Sequence, residues 1–203
     1  MFLNGLPLVV MLLTPCATSD AQGHPCMMTS HISSRHAAIA EFTSRVDRYM
    51  NLRWMLEAPL GPDALCADPE GTQRAYTNLA NAIRAERASA RMGDVFTPAA
   101  AGFFRRQISA ALRESGRELR TSLEDPTTGM PIDLPTIEVN GMLPWGAGER
   151  LWPSLMKTLP DLPAELDYQL VGRDLVLLDV SLNIVVDVLE QVDGTPTKAT
   201  GTN

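Results

Sequence analysis

Two aspartates interrupt apolar runs near the C-terminus. Asp179 sits in Leu175–Val180, and Asp187 sits in Ile184–Leu189. A turn at Ser181-Leu182-Asn183 places them on neighbouring strands. Paired carboxylates can divide general acid and general base work or hold a cation, with Arg173 orienting a substrate. Their separation depends on a register that sequence leaves open. Two plainer readings stand beside the catalytic one: both side chains face solvent, or one pairs with an arginine from the helical half. Asn183 reads first as a turn former.

Arginine supplies a second constellation. Arg53 falls between Tyr49 and Leu56 on an apolar helical face, and Arg87 falls between Ile83 and Ala90 on another. Arg84, Arg87 and Arg91 recur at helical spacing and make one side of that helix basic. Arg105 and Arg106 follow in the next helix. Arg53, Arg84 and Arg87 could form a pocket in which guanidinium groups grip a carboxylate, a phosphate or an acidic glycan. They could equally pair internally with Asp47, Glu86, Asp94 or the acidic C-terminal half, their stems covering apolar surface. Fifteen of the 17 basic residues are arginine, so arginine in such slots is common here.

A third group lies early in the chain: His24, Cys26, Met27, Met28, His31 and His36. Sulfur and imidazole ligands suit copper, but the spacing fits no metal motif, and a tail with incidental Met and His explains it as well. The sequence calls for no cofactor. It lacks GxGxxG, a Walker sequence, HExxH, CxxC and GxSxG. All three histidines precede residue 37, which argues against a Ser–His or Cys–His hydrolase.

The 203 residues carry a net charge of −7 and a pI near 4.9, against a general nucleic-acid binder. No apolar run reaches the ~20 residues of a membrane-spanning helix. Charge splits along the chain. Residues 33–122 hold 13 Arg and 10 acidic residues, whereas 123–203 hold four basic and 13 acidic residues.

The start predicts an export signal over residues 1–21: Leu6–Leu13 is apolar, and Ser19 and Ala21 fit cleavage after Ala21. No Lys or Arg precedes the apolar run, so the true start lies elsewhere or the signal is unusual. Pro15 before Cys16 fits a lipoprotein signal poorly. Export would place the protein in the periplasm or outside the cell. It would leave Cys26 and Cys66 either bonded as a disulfide or free.

Residues 22–33 read as a flexible tail and 34–122 as three helices. The first, Ser34–Ala58, presents Ile39, Phe42, Val46, Tyr49 and Leu56 on one face. The second starts at Asp68-Pro69, shows Tyr76, Leu79, Ala80, Ile83 and Ala90, and ends near Gly93. The third starts at Thr97-Pro98 and shows Phe104, Ile108, Ala111, Leu112 and Leu119. The short Gly93–Phe96 link predicts that the second and third helices are antiparallel neighbours. Residues 123–164 form a Pro/Gly-rich connector, with a strand expected at Thr136–Val139 and a short helix near Arg150–Thr158. Residues 165–192 read as a three-stranded antiparallel meander packed on the helices, and 193–203 as a disordered tail. The expected class is α+β. An amphipathic helix pair could also close a homodimer.

Tyr49, Leu52-Arg53, Ala82-Ile83-Arg84, Arg87, Gly93–Pro98, Phe104-Arg105-Arg106, Val139-Asn140, Leu159-Pro160 and Leu162-Pro163 carry a likeness. So do Leu166, Tyr168, Val171-Gly172-Arg173, Leu175, Leu177, Asp179, Asn183 and Val185-Val186-Asp187. On these residues, spread over roughly 40–190, the chain resembles a family of uncharacterised bacterial exported proteins. It departs from that pattern at Gln169, where the family more often has a basic residue. The resemblance implies export and brings no activity. The expected function is therefore a non-catalytic, exported domain that binds a ligand or partner, or is associated with the cell envelope. The alternative is a hydrolase or cation-binding enzyme built on Asp179 and Asp187.

Overall fold

The computed structural model describes residues 26–61, 68–114 and 136–192, and the side chains within them other than those of 26–33, 112 and 114. The segments expected to be a leader, 1–21, and a tail, 193–203, lie outside the described residues, as do His24, Cys66 and the side chains of Cys26, Met27, Met28 and His31. The class is α+β. Three helices come first: α1 (Cys26–Glu57), α2 (Pro69–Glu86) and α3 (Pro98–Glu114). A four-stranded antiparallel sheet follows in the order β1 (Glu149–Arg150), β2 (Leu166–Val171), β3 (Asp174–Asp179) and β4 (Ile184–Leu189). One helical turn, α4 (Pro153–Met156), stands between β1 and β2.

Helix α1 begins at Cys26, so positions 26–33 continue a helix where a tail was expected. A 3-10 turn at Ala58–Leu60 ends it, with Pro59 inside and Gly61 behind at φ +67°. Helix α2 starts as the sequence predicts: Asp68 accepts the Gly71 N–H at 2.8 Å and Pro69 occupies the first turn. It stops at Glu86, short of the expected end near Gly93. The reason is tertiary. Residues 87–96 leave the helix to fold over β4, where Gly93, Val95 and Phe96 give their N–H groups to Asp187. Gly93 takes φ +88° to do so, a conformation cheap only for glycine. The same diversion corrects the expected helical hairpin: α2 and α3 each pack along α1 rather than chiefly on one another.

Strand β2 alternates as read, with Leu166, Tyr168 and Leu170 buried and Asp167 and Gln169 half-exposed. Strand β4 is buried throughout, and β3 nearly so, which requires cover on both faces of the sheet. The helices cover one face. The connector covers the other: Leu143 packs with Val171, Val176, Leu178, Val185 and Val188, and Ile137, Val139 and Ala147 pack around them. The expected strand at Thr136–Val139 does not form. Instead the turn after it docks on the outer edge of β4: Asn140 N–H donates to Val185 O (2.7 Å), and Val185 N–H donates to Gly141 O (3.0 Å). Further along, the connector supplies β1 to the opposite edge, paired with Leu170 and Gln169. The short helix is also present, shorter than expected. One segment thus protects both sheet edges from pairing with other chains.

Gly172, at φ +58°, opens the two-residue turn that joins β2 to β3. Asn183, at φ +50°, closes the β3–β4 turn and donates its side-chain N–H to Leu143 O. Against the helices lies an aromatic cluster. Phe42 contacts Phe96, Phe104 and Tyr168 at centroid distances of 5.6, 4.9 and 6.2 Å, and Phe103 meets Phe104 edge-on at 5.5 Å. Tyr168 keeps its hydroxyl satisfied by donating to Pro160 O (3.1 Å). Its phenol is pushed up by burial.

Candidate functional site

Strand β4 contains a bulge that decides the chemistry of its aspartate. Leu177 pairs with Asp187 while the next residue, Leu178, pairs with Val185, so Val186 is the extra residue. Val185 and Val188 face the connector, whereas Val186 joins the helix-side core. Strict alternation would send Asp187 to the connector side. The bulge turns it toward the helices instead.

There Asp187 is fully buried. Its Oδ1 accepts the N–H groups of Gly93 (2.9 Å) and Val188 (2.8 Å), and Oδ2 accepts those of Val95 and Phe96 (both 2.7 Å). Four donors fill the lone-pair capacity of a carboxylate. Burial pushes its carboxyl above the ordinary range, against the opposing pull of the four N–H groups.

Asp179, also fully buried, ends β3. Its Oδ2 accepts from Tyr49 Oη (2.8 Å) and Arg53 Nε (3.0 Å); its Oδ1 accepts from Ser181 Oγ (3.0 Å) and Leu182 N–H (3.1 Å). The last two bonds shape the β3–β4 turn, a common use of aspartate. The first two tie the sheet to α1. Burial, then the neighbouring Asp179 charge, pushes the Tyr49 phenol well above its usual range. Arg53 is fully committed: besides Asp179 it binds Glu57 through Nη1 (2.6 Å) and Ser181 through Nη2 (2.9 Å), with Glu165 at 4.0 Å. Both carboxylates are therefore occupied by internal donors. The plainer reading, pairing with a helix arginine, describes Asp179. Neither aspartate faces solvent.

Arg84 donates to Asn140 O (3.2 Å) and to Asn81 Oδ1 (3.4 Å), so it fastens the connector to α2. Asn140 returns the contact, its Nδ2 donating to Arg84 O and Arg87 O at 2.9 and 3.1 Å. Arg173 is exposed at the β2–β3 turn, where its carbonyl accepts Val192 N–H. Among the described residues no group of three or more His, Cys, Asp or Glu side chains is placed to hold a metal ion.

Arg87 differs from these. Its Nη2 donates to Val186 O (2.8 Å), and its guanidinium lies over the Tyr49 ring, 5.1 Å from the centroid. Its Nη1 is buried with no hydrogen-bond partner among the described residues. Burial pulls the guanidinium below its usual pKa, opposed by the nearby Tyr49, Asp187 and Asp94.

Arg87 lines a cleft of about 450 Å³ between α1 and the Gly93–Phe96 turn. Arg45 and Arg48 face it from α1, and Asp94 from the turn. Tyr49, Leu52 and Val95 complete its wall. Positions 45, 48, 49 and 52 are one stripe of α1 at helical spacing. Arg45 Nη1 reaches Asp94 O at 3.3 Å, and its Nη2 stands 3.9 Å from Glu41. Arg48 is exposed and has no ion-pair partner among the described residues. Asp94 accepts the Arg91 N–H through Oδ2 at 2.9 Å.

Of the three arginines expected to form a ligand pocket, the structure brings one, Arg87, to a cleft. Arg53 and Arg84 are held by internal partners. Arg45 and Arg48 take their places, and the readable signal for them was the stripe they make with Tyr49 and Leu52. The chain matches no family model, no curated protein and no solved structure.

Proposed function

We propose that this is an exported, non-catalytic domain that binds a small anionic ligand in the cleft between α1 and the Gly93–Phe96 turn. The observation that carries this reading is Arg87: it lines the cleft and keeps Nη1 buried without an acceptor. Such orphaned donors cost roughly 1–3 kcal/mol, and more when charged. An oxyanion that meets the guanidinium after a small shift of the Arg87 side chain removes that cost and stabilises the charge that burial disfavours. Two further arginines at the rim make the cleft attractive to anions before contact. Catalysis finds no comparable support. The two aspartates have their lone pairs filled, and neither lines the cleft.

The test is native mass spectrometry of the protein purified from the exported fraction, followed by calorimetry with small anions. The expected outcome is a chain cleaved after Ala21 and a saturable anion-binding heat that Arg87→Leu abolishes. A full-length chain found only inside the cell overturns export. Absence of any anion-binding heat overturns the ligand reading.

A further inference from the structure

Resting on that reading, we infer that the ligand is a phosphate monoester of a hydroxylated organic body, such as a sugar phosphate, rather than a carboxylate.

Charge comes first. Arg45, Arg48 and Arg87 against the one carboxylate of Asp94 leave the lining with two positive charges in excess. A monocarboxylate compensates one of them, whereas a phosphate monoester at neutral pH compensates nearly both. Donor count points the same way. Among the described residues Arg87 Nη1 and the Arg48 guanidinium have no acceptor, and Arg45 is held by one 3.3 Å bond and a 3.9 Å ion pair. A carboxylate offers two oxygens to these forks, while a phosphate monoester offers three terminal ones. Arg87 itself is preset, its plane fixed by the Tyr49 ring and by Val186 O.

The organic body follows from size and from Asp94. A cleft of about 450 Å³ is far larger than a bare anion and falls within the range of small-molecule sites. Asp94 uses Oδ2 for the Arg91 N–H, which leaves Oδ1 to accept a ligand hydroxyl. Leu52 and Val95 give that body an apolar flank. A second anionic group is disfavoured, because it would meet the Asp94 carboxylate.

The experiment is isothermal calorimetry on the mature chain with glucose 6-phosphate, glucuronate, glucose and inorganic phosphate at one ionic strength. Glucose 6-phosphate is expected to bind at least about tenfold tighter than glucuronate, the gain of one charge-assisted contact. It should also exceed inorganic phosphate, with no heat from glucose. Arg48 is exposed and has no hydrogen-bond or ion-pair partner among the described residues, so Arg48→Ala should keep the melting temperature and weaken glucose 6-phosphate by about tenfold. Equal affinity for glucose 6-phosphate and glucuronate overturns the phosphate assignment and leaves the anion-binding cleft standing. Equal affinity for glucose 6-phosphate and inorganic phosphate overturns the organic body. No heat from any anion overturns both this inference and the reading beneath it.

Discussion

Each buried carboxylate organises a different part of the chain, and replacement shows which. Asp187→Ala strands the N–H groups of Gly93, Val95, Phe96 and Val188 in the interior. It should destabilise the protein by about 3 kcal/mol or more in urea titration, with its main effect on the 87–96 segment. Tyr49→Phe removes one of four donors to Asp179 and leaves an aromatic ring under Arg87. The expected cost is about 1–2 kcal/mol in the same titration. A pH effect follows from Asp187. Its carboxyl is raised by burial, so the folded state holds this proton more tightly than the unfolded chain. The part of the stability linked to this proton is full below the ordinary carboxylate value of about 3.9 and is lost as pH rises through the higher folded value, separately from what the four N–H bonds contribute. A carboxyl carbon NMR titration should place the Asp187 midpoint above those of the exposed aspartates.

At the level of elements, the bulge in β4 couples sheet to site. Deleting Val186 restores strict alternation and leaves Asp187 on the helix side, opposite Leu177, because Asp187 then follows Val185 directly. It removes the carbonyl to which Arg87 donates and a buried side chain of the helix-side core. The expected outcome is a cooperative unfolding transition by circular dichroism at a clearly lower melting temperature, with weakened anion binding. A variant that melts near the parent temperature and binds as the parent does would show that the bulge contributes little to core or cleft.

Across the whole molecule, the connector acts as a clasp. It caps β4 through Asn140 and Gly141, fills the outer face with Leu143, and supplies β1 to the far edge. Asn140 is its fastening to α2, through two side-chain bonds and a backbone carbonyl that accepts from Arg84. Asn140→Ala loses the side-chain bonds and places alanine at φ +68°. Hydrogen exchange should then show the Val185 amide opening locally, well before global unfolding. The clasp also brings part of the acidic C-terminal half against the arginine-rich helices. The internal pairing anticipated from that charge split is present for Arg53, with Asp179 and Glu165, whereas Arg48 has no ion-pair partner among the described residues.

Much of the fold was legible because it is local. Apolar residues at helical spacing marked α1, α2 and α3; Asp68-Pro69 marked a start; alternation and β-branched runs marked β2, β3 and β4. Gly172 and Asn183 marked the turns by their tolerance of positive φ. The two aspartates and Arg87 stood out because charge in an apolar pattern requires an explanation. The explanation itself was not local. One extra residue in β4 reverses where Asp187 points, and no periodicity shows which residue will be the extra one. The end of α2 depends on a carboxylate 94 residues away accepting the Gly93 N–H. Which arginines are spent and which remain available depends on acceptors such as Asp179, Asn140 O and Val186 O, brought close only by packing the sheet on the helices. Sequence alone determined the elements and the residue types available for chemistry. Tertiary structure decided which of those residues are satisfied, because a hydrogen bond needs its partner within about 3 Å and chain order does not set that distance.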